Sequence, residues 1–105
     1  MEELRNKIMQ FVEDRNWGQF HSPVNLAKSI IIEAAELLEL FQWDEDNVDY
    51  ERVKEELADI IIYSIQLADK YNFDVKQIIL NKIKMNEERY PIEKSRGTAK
   101  KYNKL

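Results

Sequence analysis

The chain has 105 residues, 44% of them hydrophobic and 34% charged, the make-up of one compact domain of ordinary size. Its net charge is −4, and the lack of cysteine rules out disulfide scaffolds, thiol nucleophiles, iron–sulfur clusters and thiolate zinc sites. A single histidine rules out histidine-rich metal centres, and with neither an export signal nor a run of about 18 apolar residues the expectation is a cytoplasmic protein with no membrane partner.

Two glycines and two prolines leave few breaks, and apolar spacing of three and four predicts helices and no strand. A first helix covers about 2–15, with Leu4, Ile8, Phe11 and Val12 on one stripe. Ser22 as N-cap and Pro23 at the first helical position open a second helix that runs to about Trp43. Asp49 caps a third, carried to about Tyr71 on Val53, Leu57, Ile60, Ser64 and Leu67. Asp74 and Gln77 have capping-box spacing and open a fourth, which Pro91 stops near Tyr90.

The expected fold is all-α, four helices in a single domain over 1–105, with a weakly structured basic tail at 91–105. In that tail Lys94, Arg96, Lys100, Lys101 and Lys104 stand against Glu93, a local charge of +4 that leaves −8 for residues 1–90. Such an acidic body is a poor nucleic-acid surface. Any phosphorylated ligand is therefore expected to reach it through bound cations, through the tail, or through both. A chain this short buries a limited share of its surface, so a sealed pocket points to self-association.

Glu33-x-x-Glu36 lies on the second helix and Glu56-x-x-Asp59 on the third, and each pair projects from one face because residues three apart are neighbours. Chance alone supplies about four such pairs in a chain this acidic. What distinguishes these two is their setting. Glu33 shares a stripe with Leu26, Ile30, Leu37 and Phe41, while Ile31, Ala34, Ala35 and Leu38 leave almost no polar face opposite. Counting from a bend at 44–49 puts Glu36 level with Glu56 and Glu33 level with Asp59. Counting from the next bend brings Asn86 near Asp59, and Lys82 and Asn86 continue the stripe of Val75 and Ile79. Four carboxylates on apolar faces repel one another unless a cation is present. All-oxygen ligation suits Mg²⁺, with Mn²⁺ as a substitute. A di-iron bundle wants Glu-x-x-His motifs, and His21 is not in one.

These residues make the sequence recognisable. It resembles the all-α, MazG-like nucleoside triphosphate pyrophosphohydrolases, marked by E-x-x-E, a spacer and E-x-x-D, and within them most of all the dCTP pyrophosphatases. The likeness runs through RNWGQFHSPVNL (15–26), EAAELLELFQW (33–43), EELADIIIY (55–63), KIKMNEERYP (82–91) and SRGTAKKY (95–102). It implies a helical homodimer or homotetramer that cleaves a nucleoside triphosphate to monophosphate and pyrophosphate with Mg²⁺. By position, Glu33, Glu36, Glu56 and Asp59 match the metal ligands and catalytic acids. Tyr63, Lys82, Asn86 and Arg89 match positions near the triphosphate and sugar, and Trp17, His21 and Trp43 those around the base. Gly18 departs from the longer polar side chain usual beside that tryptophan.

The resulting expectation is metal-assisted hydrolysis of dCTP or a modified dCTP in nucleotide-pool house-cleaning, with Glu36 favoured as the base that takes the proton from water. The same chemistry on dUTP or on many nucleotides is the nearest alternative. A non-catalytic helical dimerisation module is the other, and it predicts no Mg²⁺ binding. Trp17 and Trp43 flank the second helix, roughly 28 Å apart along it, so one pocket holding both needs two subunits.

Overall fold

The computed structural model describes residues 1–104. Among them are five helices, α1 (Glu2–Asp14), α2 (Pro23–Glu39), α3 (Tyr50–Lys70), α4 (Val75–Arg89) and α5 (Ile92–Ser95), and two 3-10 turns, Gly18–Phe20 and Tyr102–Lys104. No strand occurs among the described residues. Packing divides the chain into two compact units, Met1–Phe73 and Asp74–Leu105.

Helix starts are set by the predicted caps. Ser22 Oγ accepts the Asn25 N–H at 3.2 Å with Pro23 in the first turn, and Asp49 Oδ1 accepts those of Glu51 and Arg52. Asp74 Oδ1 accepts the Gln77 N–H. Each such bond relieves an orphan donor and stabilises the helix by about 1 kcal/mol. The box at Asp74 is only half made, because the Gln77 side chain donates to Asn81 at 2.9 Å instead of returning to the cap.

Two helices end alike. Asn16 (φ 53) and Asn72 (φ 56) take the left-handed conformation, which asparagine tolerates better than most side chains. The N–H groups of Asn16 and Trp17 return to Glu13 and Val12, and those of Asn72 and Phe73 to Asp69 and Ala68. Trp17 is thereby fixed at the end of α1 by its own backbone. α2 stops at Glu39, earlier than the predicted Trp43. The Leu40, Phe41 and Gln42 N–H groups reach only three residues back, a tightening last turn, and Asp44 Oδ1 takes the Asp46 N–H at 3.1 Å. That local bond holds a bend in place of further helix.

In the first unit α3 lies along α2, and α1 lies against α3. Ile8 and Val12 of α1, Leu26 of α2, and Ile65 and Ala68 of α3 make the buried apolar core. Leu4, Phe11 and Leu57, all predicted on inward stripes, are exposed. Periodicity marks a broad stripe, and only the partner helix decides which edge of it is covered. Arg5 Nε donates to Asp69 Oδ1 at 2.6 Å and the guanidinium pairs with the same carboxylate, tying the start of α1 to the end of α3. Leu26 is the one apolar side chain here with no exposed surface. Leu26→Ala is expected to lower stability by about 2–5 kcal/mol, read from the urea midpoint at unchanged m.

In the second unit α4 contains no buried residue. Val75 is half-buried, but Ile79, Lys82 and Asn86, predicted to continue its stripe, are exposed. The tail is more ordered than its composition suggests. The Pro91 carbonyl accepts the N–H groups of Lys94 and Ser95 and so starts α5. Gly97 then turns the chain at φ 78. Tyr102 meets Tyr90 edge-on at 6.3 Å, and the Arg89 guanidinium lies 4.8 Å from the Tyr102 ring centre. No helix among the described residues is long and apolar enough to cross a membrane.

Candidate functional site

The observed ends of α2 and α3 bring their acids into register. Glu33 stands six residues before Glu39, and Glu56 six after Tyr50, which puts these two level, with Asp59 one turn further on the same face of α3. The register predicted from Trp43 paired Glu36 with Glu56, and the shorter α2 moves Glu33 into that place. One oxygen each from Glu33, Glu56 and Asp59 lies within 4.8 Å of the others. Glu36, about one turn further along α2, lies outside this trio and adds its charge at Glu33.

The electrostatics of the trio are unfavourable as they stand. Burial, then hydrogen bonding with Glu56 and Glu36, then the charges of Glu36 and Asp59 push the Glu33 carboxyl up from 4.5 to about 7. Glu56 is only 8% exposed; its Oε1 lies 3.6 Å from Arg52, and its Oε2 is buried without a hydrogen-bond partner. A buried carboxylate with an orphaned oxygen, grouped with two further carboxylates, is a donor set that fits a hard divalent cation.

Beside the acids is a cavity of about 370 Å³, near the lower end of the range for ligand pockets. α1 lines it with Lys7, Ile8, Phe11 and Val12, the connection to α2 with Trp17 and His21, and α3 with Asp59, Ile62, Tyr63 and Gln66. Asp59 belongs to both the trio and the cavity wall. The Trp17 ring meets Phe11 edge-on at 5.6 Å, and the Arg15 guanidinium sits 3.8 Å over Phe11. His21 meets Tyr63 edge-on at 6.4 Å, with its Nδ1 buried and unpartnered. Burial, then the charges of Glu33, Asp59 and Glu36, raise the Tyr63 phenol above its usual value. It therefore remains an O–H donor at neutral pH.

The structure thus gathers Glu33, Glu36, Glu56, Asp59, Tyr63, His21 and Trp17 in the first unit. Trp43 stands 88% exposed in the bend after α2 and is not among the described residues lining the cavity. Lys82, Asn86 and Arg89 lie on α4, in the second unit. Sequence reasoning missed Gln66, 4% exposed and on the cavity wall, and Lys7, which lines the same cavity. The signal was present in part, because Glu56, Asp59, Tyr63 and Gln66 follow one face of α3 at steps of three and four.

Comparison with known proteins assigns the chain to a family. Residues 28–105 match the MazG-like family. Over the whole chain the sequence is 39% identical to a bovine (Bos taurus) dCTP pyrophosphatase 1, of which it covers 68%, and 34% identical to the human (Homo sapiens) protein of the same name, of which it covers 67%. The fold is similar to the crystal structure of a pyrophosphatase from Archaeoglobus fulgidus, with a TM-score of 0.76 and 39% identity over 87% of this chain and 92% of that one. With a family match over residues 28–105 and relatives 34–39% identical along the whole of this chain, this chain belongs to the MazG-like family.

Proposed function

We propose that this chain, a nucleoside triphosphate pyrophosphohydrolase, hydrolyses dCTP or a 5-modified dCTP to the monophosphate and pyrophosphate, in cytoplasmic house-cleaning of the nucleotide pool. One observation carries the reading: Asp59 is shared by an acid cluster suited to a divalent cation and by a small, largely apolar cavity with a tryptophan, a tyrosine and a histidine in its wall. A triphosphate needs the first and a nucleobase the second.

In this reading Glu33, Glu56 and Asp59 hold Mg²⁺, or Mn²⁺ in its place. Such a cation neutralises triphosphate oxygens and lowers the pKa of water at the site. Glu36, which stands beside Glu33 and outside the tight trio, takes the proton from the attacking water. As the new P–O bond forms, the oxygen bridging the α and β phosphates departs with its electron pair as part of pyrophosphate. The Tyr63 hydroxyl donates a hydrogen bond towards the sugar and phosphates, and Trp17 offers the base a stacking face whose tilt Phe11 fixes. The test is incubation with natural and 5-modified nucleotides plus Mg²⁺, with pyrophosphate and orthophosphate detected separately. Pyrophosphate from dCTP supports the reading, and orthophosphate alone or no product from any nucleotide contradicts it.

The proposal includes a homodimer or homotetramer. Ile31, Ile32, Leu38 and Trp43 are all exposed, Leu38 at 71%, and an apolar surface of this kind marks an interface. Trp43 reaches a nucleotide only from a partner subunit, since within one chain it lies outside the cavity lining. Sedimentation equilibrium at micromolar concentration should therefore give a dimer or tetramer mass. A fully active monomer would overturn this assembly.

A further inference from the structure

Gln66 is the polar side chain that the proposed chemistry leaves without a task. It is 4% exposed, on the buried face of α3, and on the wall of the cavity beside Tyr63. Burying a carboxamide is costly unless it finds hydrogen-bond partners, and a cavity that receives a polar ring can supply them. Its depth also fits. Gln66 is seven residues beyond Asp59 on α3, about 10 Å along the axis, comparable to the reach from a nucleotide's α-phosphate across its sugar to the outer edge of its base. Trp17 and Ile8 offer that base a face, but neither stacking nor apolar contact distinguishes one base from another. Gln66 presents a donor and an acceptor side by side, the requirement for reading an edge.

We infer that Gln66 reads the Watson–Crick edge of a pyrimidine in this cavity, and that it does so for 4-amino and 4-oxo pyrimidines alike. Cytosine presents an amino donor beside a ring-nitrogen acceptor, and the Gln66 oxygen and NH2 answer them in that order. Uracil and thymine present a carbonyl acceptor beside a ring N–H donor. A half-turn of the terminal amide exchanges its oxygen and nitrogen and satisfies that pattern equally well. The same amide matches the corresponding edges of adenine and guanine, so its hydrogen bonds separate neither dCTP from dUTP nor pyrimidine from purine. It is the small cavity, about 370 Å³, that favours a single ring, while a base-free ligand leaves the buried amide unsatisfied. The inference rests on the cavity being the base site of the proposed hydrolase, and it widens the substrate from dCTP to deoxypyrimidine triphosphates.

The experiment compares kcat/KM for dCTP, dUTP, dTTP and a base-free deoxyribose triphosphate in the wild type, in Gln66→Leu, which keeps the side-chain volume, and in Gln66→Met should the leucine variant unfold. The wild type should hydrolyse dCTP and dUTP within about tenfold of each other. The variant should lose about 10- to 100-fold on every pyrimidine, chiefly in KM, while keeping the wild-type rate on the base-free substrate. A structural role for Gln66 would lower all four substrates together, and that result overturns the inference. So does a wild type that prefers dCTP to dUTP by a thousandfold or more, a comparison that needs no variant. A wild type releasing no pyrophosphate from any nucleotide overturns the proposed hydrolase itself, and the reading of Gln66 with it.

Discussion

Glu33→Gln should reduce pyrophosphate release at least about 100-fold and, at pH 8 without metal, raise the stability of the fold. Both effects come from one side chain. In the native state burial and its carboxylate neighbours hold the Glu33 carboxyl at about 7, against an ordinary value of 4.5, so its ionisation at pH 8 opposes folding. The full shift is worth roughly 3 kcal/mol. Glu33 is only half-buried, solvent screens part of that, and about 1–2 kcal/mol is the expected gain. The neutral amide cannot replace an anionic ligand, so activity falls while apo stability rises. Thermal unfolding in chelator beside a pyrophosphate assay reads both. A Glu33→Gln protein that unfolds earlier and still turns over substrate would make Glu33 a structural partner.

Divalent cation binding should weaken about 100-fold between pH 8 and pH 5. A cation requires Glu33 ionised, and with a pKa near 7 the group is mostly charged at pH 8 and almost wholly protonated at pH 5. The sign for the metal-free fold is the reverse. The native state keeps a proton that the unfolded chain gives up above 4.5, so stability falls as pH rises from about 4.5 to 7 and is level beyond. Added Mg²⁺ should remove that loss, because it binds the folded ligand set. Calorimetric titration at pH 6 should show close to one proton released per site, and almost none at pH 8. Release that does not vary with pH, or an unaltered pH dependence in Glu33→Gln, would assign the proton elsewhere.

What could be read from the sequence was what is local. Ser22, Asp49 and Asp74 cap their helices through bonds to residues two or three positions away, so those starts needed no tertiary information. The acids were legible because Glu33 interrupts an apolar stripe. The end of α2 was not, since no glycine or asparagine stops it and the chain closes through three tightened turns and an aspartate bend. That error of four residues mis-set the level of Glu36. Gln66 was invisible for a different reason. On α3 alone it is one polar residue among many, and it is buried in the fold, where α1 lies against α3 and brings Ile8 and Val12 into the core. The same dependence on a neighbour left Phe11 and Leu57 outside a core their spacing suited. Arg89 owes its assignment to resemblance alone, whereas Lys82 and Asn86 were also reached by counting along α4, on which both are exposed.

The most direct measurement is anomalous diffraction from crystals grown with Mn²⁺ and a dCTP analogue that resists cleavage between its α and β phosphates. The expected result is a manganese peak bound by carboxylate oxygens of Glu33, Glu56 and Asp59, as suits a hard, oxygen-ligated ion, with the base in the cavity beside Trp17. Manganese bound elsewhere, or a base lying outside that cavity, would contradict the site.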